Sequence, residues 1–366
     1  MFGFKHKVGK RKATSKSPNL FLKSSSLFFK QDAGNMIFEV TSKQLPVLNR
    51  IGLDELFLTQ GHIREPHWHP NAAELDYVVE GEVLISILDP FRHQLLTYHV
   101  QPGQVVYIPI NWWHWITAVT KKVYIVQIFS HEDRQIIEGS DVLRKTPPEV
   151  FQLAYGVNAK QFANMVAPIQ KTVVIGSPDA VQKSERSGNR LAVKDTSAGT
   201  PNLFFELKQN LSAQRDHSFL YEVTCDQIPM MHNLSLGDLY LTKGHIREPH
   251  WHPNADELDY VISGEVTVSI LNPFTLKLHN YPVKPGQVAF IPKGWWHWIT
   301  PMTDQAHLLV NFNDGQIESV EGSDVLRLTS PEVFQQAYGM NARQYAKEVT
   351  PITETLKIGP PDQKLK

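Results

Sequence analysis

Cysteine is nearly missing from this 366-residue chain: Cys225 is the only one, so the chain cannot form a disulfide with itself. No apolar run approaches the roughly 18 residues that span a bilayer. The N-terminus also lacks the apolar segment and cleavage site of a secretory signal, and we therefore expect a cytoplasmic protein. The net charge is small as well. At −1 it offers no general attraction to nucleic acid or to acidic membranes, so neither is expected as a partner.

The composition is that of an ordinary soluble globular protein. Hydrophobic residues make up 42% and charged residues 20% of the chain. A length of 366 residues predicts about two domains. Residues 1–16 are rich in lysine and arginine, which indicates a basic flexible tail.

An internal repeat also indicates two domains. From Ser17 onward the sequence returns without a gap at a constant offset of 183 residues, so that His114 corresponds to His297. A gapless repeat of this length indicates that a whole domain was duplicated. The predicted segments are a basic tail 1–16, a first domain 17–176, a polar linker 177–199, a second domain 200–359 and a C-terminal tail 360–366.

Each repeat begins with strand-like segments and ends with helix-like ones. Residues 83–88 and 123–129, for example, are rich in β-branched and other apolar residues. The chain is therefore predicted to be all-β dominated, as two tandem jelly-roll β-barrels. After each barrel, a capping box such as residues 146–149 predicts a helix that ends near Gly156. A second helix from about Asn158 would complete a short helical hairpin.

The candidate functional site is a set of histidines with one carboxylate. His67 and His69 are two residues apart, so in a β-strand they point to the same face. The turn that begins at Pro70 lets Glu74 return on the next strand, and His114 follows a further turn. Three imidazoles and one carboxylate suit a divalent transition metal and leave two positions open in six-fold coordination. The second repeat carries the corresponding set: His250, His252, Glu257 and His297.

This spacing is similar to the two sequence motifs of the cupin superfamily. Gly61, His67, His69 and Glu74 stand at the spacing of the first motif, and the second repeat matches it as well. The second motif is complete in the second repeat, whereas the first repeat has Asn111 where the motif has its inner glycine. Asparagine tolerates the left-handed backbone angles that such a turn requires. The chain thus resembles a bicupin, and the run Arg-Glu-Pro-His-Trp-His is most similar to the oxalate decarboxylase branch.

The resemblance implies an enzyme of the carbon–carbon lyase or oxidase kind that acts on oxalate or another small carboxylic acid. It implies one divalent ion in each domain, with Mn²⁺ first and iron, nickel, copper and zinc as alternatives. Dioxygen is a candidate co-substrate. Bicupins of this kind pack their helical hairpins between subunits, so a homo-oligomer is implied too.

Arg64 and Arg247 correspond to the position of the substrate arginine in that branch. Arg64 lies three residues before His67, an odd number, so a regular strand would point it away from the ligands. The site therefore requires an irregularity in this strand, and Pro66 favours one. An inward guanidinium could hold a carboxylate through two hydrogen bonds. The alternative is a surface arginine paired with Glu65 or, in the second repeat, with Glu248.

The sequence departs from the branch in the segment after the barrel. Oxalate decarboxylases carry a proton-transfer glutamate there in a Ser-Glu-Asn-Ser/Thr run, which residues 130–139 lack. Glu132 in the first repeat and Glu318 in the second are the candidates to replace it, with Asp133 and Asp314 as alternatives.

A manganese bicupin acting on a small acid is therefore one hypothesis among three. The others are a bicupin dioxygenase with a larger apolar substrate, favoured by the tryptophans near His114, and a non-catalytic metal-containing protein of the binding or spore-coat kind.

Overall fold

The computed structural model describes residues 18–177 and 201–361 of the chain. The predicted basic tail and nearly all of the predicted linker lie outside these residues, and the exact domain boundaries stay predictions. The described residues form two β-sandwich domains of the same topology, each followed by short helices. The predicted fold class is confirmed.

The secondary-structure elements follow the same order in both repeats. The strands of the first repeat are β1 (Phe21–Leu22), β2 (Ser26–Lys30), β3 (Met36–Val40), β4 (Gly52–Thr59), β5 (Ile63–Trp68), β6 (Glu74–Glu80), β7 (Val83–Asp89), β8 (Gln94–Val100), β9 (Gln104–Ile108), β10 (His114–Ala118), β11 (Lys122–Phe129), β12 (Ile137–Glu138) and β13 (Ile175–Gly176). The strands of the second repeat are β14 (Phe204–Glu206), β15 (Leu211–Arg215), β16 (Ser218–Val223), β17 (Ser235–Thr242), β18 (Ile246–Trp251), β19 (Glu257–Ser263), β20 (Val266–Asn272), β21 (Lys277–Val283), β22 (Val288–Ile291), β23 (His297–Pro301), β24 (Gln305–Phe312), β25 (Val320–Glu321) and β26 (Ile358–Gly359). The helices are α1 (Gly139–Lys145), α2 (Pro148–Tyr155), α3 (Ala159–Val166), α4 (Gly322–Leu328), α5 (Pro331–Tyr338) and α6 (Ala342–Glu348).

Each sandwich packs a long antiparallel sheet against a shorter one. In the first domain the long sheet has the order β14-β9-β6-β11-β4-β3-β2 and the shorter one β12-β5-β10-β7-β8, with β13 also paired to β5. The second domain has β1-β22-β19-β24-β17-β16-β15 and β21-β20-β23-β18-β25, with β26 also paired to β18. Alternate side chains of each strand meet between the sheets, where Ile85 and Ile87 are fully buried. The site described below lies in the same interior.

The two domains exchange their first strands. β1 belongs to the first repeat but pairs with β22 of the second domain, while β14 of the second repeat pairs with β9 of the first domain. Leu20 and its counterpart Leu203, which precede these strands, are fully buried. The Phe290 N–H donates to the Leu20 carbonyl at 2.7 Å. Each long sheet is therefore covered at one edge by chain from the other repeat, which protects that edge from unwanted pairing.

Replacing Leu20 with alanine is expected to destabilise the second domain, although Leu20 belongs to the first repeat. Truncating a buried leucine costs about 2–5 kcal/mol, and the lost contacts lie beside β22. Hydrogen–deuterium exchange should therefore speed up in β22, and Leu203→Ala should move the effect to β9. Faster exchange confined to the first domain in the Leu20 variant would contradict the strand exchange.

The predicted helical hairpins are present, as α2 with α3 and α5 with α6. α2 ends at Gly156, whose φ of 70° is left-handed, and the Asn158 side chain caps α3 by accepting from the Gln161 N–H. The predicted capping box was wrong, because Pro147 occupies the N-cap position of α2 and makes no side-chain cap bond. Helices α1 and α4 were not predicted, because they are short and lack an apolar repeat. None of the helices within 18–177 and 201–361 is long and apolar enough to cross a membrane.

Candidate metal centres

The fold brings the four predicted ligands of the first domain together. His67 in β5 lies directly opposite His114 at the start of β10. His69 follows β5, and Glu74 begins β6 in the facing sheet. One ligand atom from each of the four side chains falls within 4.8 Å of the others, and all four side chains are buried. The second domain assembles the corresponding set in the same way: His250, His252, Glu257 and His297.

Backbone carbonyls fix the orientation of each imidazole in the first domain. Nδ1 of His67 lies 2.6 Å from the Glu65 carbonyl oxygen, and Nδ1 of His114 lies 2.8 Å from that of Trp112. Nδ1 of His69 lies 2.8 Å from the Gln135 carbonyl oxygen. A carbonyl only accepts, so each Nδ1 carries the proton and each Nε2 presents a lone pair. The second domain repeats all three contacts.

The Nε2 lone pairs converge at distances that require a cation between them. His250 Nε2 lies 3.1 Å from His252 Nε2, and His252 Nε2 lies 2.9 Å from a Glu257 carboxylate oxygen. Lone pairs at these separations repel one another unless a positive charge lies between them. Two nitrogens about 2.1 Å from one ion, at right angles, would lie about 3.0 Å apart. The donor set therefore fits a divalent ion, and the chain has two His/Glu metal-binding sites, one in each domain.

Burial keeps these ligands in the protonation states that a metal requires. It lowers the pKa of His67 well below its usual value, and the Arg64 guanidinium lowers it further. His250 behaves in the same way next to Arg247. Burial alone would raise the pKa of Glu74, but its interactions with His114 and His69 hold it well below the usual range. The lowered pKa values favour neutral imidazoles at His67 and His250 and a charged carboxylate at Glu74, which are the forms that bind a metal.

A second carboxyl group behind each site was missed by the sequence analysis. Asp76 is fully buried two residues after Glu74 on β6, and burial together with the Glu74 charge raises its pKa well above normal. The Gln127 amide donates to both Glu74 and Asp76, the latter at 2.9 Å. Asp259 occupies the corresponding position in the second domain. The pattern Glu-Leu-Asp on a strand, with both acids on one face, could have predicted it.

The irregularity expected in β5 is present, and it turns Arg64 toward the ligands. His114 pairs with His67 and Ile116 with Arg64, so β5 has one more residue than β10 in this interval. The Arg64 side chain is buried and lines the same cavity as His67 and His69. β18 has the same shift at Arg247, which lines the second cavity. A β-bulge of this kind re-aims a side chain beside a functional site.

The alternative pairing of Arg64 with Glu65 was wrong. Both Arg64 terminal nitrogens donate to Glu138, at 2.7 and 2.8 Å, and one also donates to the Val174 carbonyl at 3.0 Å. The Glu65 carboxylate instead accepts from the backbone N–H and hydroxyl of Ser140. Arg247 pairs with Glu321 in the same bidentate manner, at 2.7 Å for both bonds.

The two bidentate pairs differ in their electrostatics. Burial raises the pKa of Glu138 despite the opposing effect of Arg64. For Glu321, burial is outweighed by Arg247 and by the Ser319 hydroxyl, so its pKa is lowered. The first repeat has Ile136 where the second has Ser319, which removes that hydroxyl. The duplicated sites are therefore not electrostatically equivalent.

The two predicted acid/base residues lie away from the ligands. The Glu132 carboxylate accepts from the Arg50 backbone N–H at 2.8 Å, and Glu132 does not line the described cavity. Glu318 contributes its backbone carbonyl to His252 at 2.7 Å, but its side chain is exposed. The Glu132 side chain is partly buried and that of Glu318 is exposed, and a proton-transfer role for either one stays a prediction.

The cavities beside the two metal sites differ in polarity. The first, of about 190 Å³, is lined by Asp54, Gln127 and Arg134 in addition to Arg64 and the histidines. The second, of about 310 Å³, has apolar or small residues at those three positions: Gly237, Val310 and Ile317. No tryptophan lines either of these cavities within the described residues, so the argument for a larger apolar substrate from the tryptophans is not supported.

Comparison with known proteins agrees with this geometry. The family model described as Cupin matches residues 19–163 and 206–345. The chain is similar to an oxalate decarboxylase of Bacillus subtilis, with 24% identity over 318 residues, which are 84% of this chain and 78% of that protein. It is also similar to legumin B of Pisum sativum, with 30% identity over 132 residues, which are 35% of this chain and 39% of that protein.

Solved structures show the same fold. The structure of the oxalate decarboxylase from Bacillus subtilis at pH 4.6 superposes with a TM-score of 0.82 at 20% identity, covering 95% of this chain and 89% of that one. A decarboxylase cleaves a carbon–carbon bond, and these relatives support the expectation of an enzyme of that kind. Two matched repeats, each a β-sandwich around three histidines and a glutamate, show that the chain belongs to the cupin family as a bicupin.

Proposed function

We propose that the first domain cleaves a small dicarboxylate, with oxalate as the first candidate, and that Mn²⁺ is the ion held by its four ligands. The observation that carries this proposal is the position of Arg64, whose guanidinium lines the cavity of His67 and His69. The three bonds that Arg64 makes to Glu138 and Val174 use three of its five N–H groups, so donors remain for a substrate carboxylate. The cavity is small, which favours a ligand of a few atoms.

The similar proteins support both the substrate and the metal. The Bacillus subtilis relative is an oxalate decarboxylase, and a solved structure of it concerns its Mn(II) centres. In this chain a bound divalent ion would hold substrate oxygens at its two open positions and polarise them. Arg64 would orient the substrate and balance the charge of its second carboxylate. The buried walls would exclude water from the reacting carbon.

We further propose that the chain forms a homo-oligomer through its helical hairpins. The hairpins leave large apolar side chains in solvent: Leu153 is 88% exposed, Tyr155 75%, Met165 65% and Tyr338 73%. Contiguous exposed apolar residues of this kind mark protein interfaces. A cytoplasmic location stays a prediction.

The test is turnover of ¹³C-labelled oxalate by manganese-loaded protein. We expect formate and carbon dioxide in equal amounts. Arg64→Lys should lower the rate by at least about 10-fold, because lysine cannot donate two parallel hydrogen bonds to one carboxylate. Arg247→Lys is the matched control and should leave the rate nearly unchanged.

Two results would count against the proposal. If manganese-loaded protein yields neither formate nor peroxide from oxalate, the proposed substrate is wrong. If Arg247→Lys lowers the rate and Arg64→Lys does not, the reaction belongs to the second domain.

A further inference from the structure

We propose that Asp54 is the residue that takes and returns the proton in the first-domain cavity, in the role that the sequence analysis gave to Glu132. This inference rests on the proposed function, because it concerns the proton transfer that cleavage of a dicarboxylate requires. In the related decarboxylases the proton-transfer residue lies in a loop after the barrel, whereas Asp54 lies in a strand of the barrel.

The position of Asp54 in the sheet places it among the site residues. Asp54 lies in β4 directly opposite Gln127 of β11, which in turn lies opposite Asp76 of β6. Residues opposite one another point to the same face, so Asp54 faces the interior that contains Glu74. Asp54 is 3% exposed and lines the cavity together with Arg64 and His67.

One oxygen of the Asp54 carboxyl group is available to a ligand. Arg134 holds Oδ2 through an ion pair at 2.5 Å, whereas Oδ1 is buried and has no hydrogen-bond partner. A buried polar atom without a partner is costly, and one that lines a cavity is placed to meet a ligand, an ion or a water molecule there. Oδ1 therefore provides an acceptor, or a donor when protonated, for a molecule in this cavity.

Arg134 makes further contacts besides its ion pair with Asp54. Its guanidinium also pairs with Glu39 at 3.0 Å. It lies over the rings of Phe28 and Phe129, at 4.8 and 5.1 Å from their centroids. The second domain has Gly237 and Ile317 in place of Asp54 and Arg134. The Asp54–Arg134 pair thus exists in one domain only. If both barrels needed it for stability, both would contain it.

The surroundings of Asp54 let it exchange a proton near neutral pH. Burial raises its pKa to about 7, with Glu39 from β3 and Glu74 from β6 raising it and Arg134 and Arg64 lowering it. Asp76 of β6 is a further carboxyl group that interacts with Asp54. A group with a pKa near the working pH is best suited to act both as base and as acid.

The proposed transfer balances for hydrogenoxalate, HO₂C–CO₂⁻. The Asp54 carboxylate accepts the O–H proton of the substrate. The carbon–carbon bond then breaks, one carbon leaves as CO₂, and the bonding electron pair stays on the other carbon. Asp54 returns its proton to that carbon, which gives formate, HCO₂⁻. No net oxidant or reductant is consumed, and Asp54 ends in its starting state.

The test compares Asp54→Asn and Asp54→Glu with the unchanged chain, all loaded with manganese. Asn keeps the shape but cannot carry the proton, so formate production should fall by roughly 10²–10⁴-fold, while the KM for oxalate and the metal content stay the same. Asp54→Glu should restore part of the rate with a shifted pH profile. Asp89→Asn is the matched control: Asp89 is also a buried aspartate, and its counterpart in the second repeat is Asn272.

A second readout is independent of turnover. Subtracting the infrared pH-difference spectrum of Asp54→Asn from that of the unchanged chain should leave one protonated-carboxyl band that titrates near neutral pH, whereas the same subtraction with Asp89→Asn should leave none. If Asp54→Asn loses its metal, its rate no longer tests the proposal. The infrared band and the pH profile of Asp54→Glu then decide whether Asp54 carries the proton.

Four outcomes would overturn the proposal. If Asp54→Asn makes formate at the unchanged rate, Asp54 is not the proton carrier, although the proposed function stands. If the subtraction for Asp54→Asn leaves no such band, or the pH profile of Asp54→Glu is unchanged, the assignment also fails. If the unchanged chain makes no formate, the proposed function and this inference fail together.

Discussion

Replacing His67 with alanine is expected to lower the divalent metal content from two ions per chain to one. Nε2 of His67 is one of four donor atoms within 4.8 Å of one another, so its loss leaves three donors in the set. Loss of a residue that merely supports a ligand costs about 10–100-fold in affinity, so loss of a ligand should exceed that range. His250→Ala should empty the second site alone, and the double variant should be almost free of metal.

The measurement is metal content by mass spectrometry after dialysis against a weak chelator. His62→Ala is the control, because its imidazole contacts Thr59 at 2.9 Å and lies outside the four-residue set. Both single variants retaining two ions would contradict the assignment of these ligands. If His67→Ala emptied both sites, the two domains would be coupled, and the prediction of independent sites would be wrong.

Replacing Arg64 with alanine is expected to destabilise the first domain strongly. Arg64 and Glu138 have side-chain exposures of only 3% and 7%, so the variant leaves a buried carboxylate without its partner. Breaking a buried pair in this way costs about 3–5 kcal/mol. The double variant Arg64→Met with Glu138→Leu should recover most of that loss, because it removes both charges and keeps the volume.

Denaturant unfolding followed by near-ultraviolet circular dichroism measures both effects. Arg247→Ala, at the corresponding position, should give a similar loss in the second domain. A double variant no more stable than Arg64→Ala alone would show that the pair contributes through its shape and hydrogen bonds rather than through charge balance. Activity should not recover in the double variant, since the guanidinium is missing.

The metal ligands could be predicted from sequence because their geometry is local. His67 and His69 share a strand face through the two-residue period, and a turn brings Glu74 back. The bulge in β5 was expected as well, because an inward Arg64 at an odd spacing from His67 requires an irregular strand, and Pro66 favours one. The duplication then supplied an internal check, because each of these features occurs twice.

The remaining features depend on contacts that no local pattern encodes. Glu138 is 74 positions from Arg64, and only the folded β12 brings it alongside β5. Asp54 lies in a strand with no motif of its own, and its place in the cavity comes from sheet pairing. The strand exchange could not be predicted from sequence either, because nothing in the sequence of β1 distinguishes it from other short edge strands. Glu132 was chosen by its position after the barrel, but its carboxylate bonds to the Arg50 backbone N–H and does not line the cavity.

The central claim is that each domain binds one metal ion through three histidines and a glutamate. The most direct test measures the metal content of the unchanged chain and locates the metal by anomalous X-ray diffraction at its absorption edge. We expect two ions per chain, with one anomalous peak among His67, His69, Glu74 and His114 and the other among the corresponding residues of the second domain. A chain that stays free of metal after growth and after addition of manganese, or peaks elsewhere in the molecule, would contradict it.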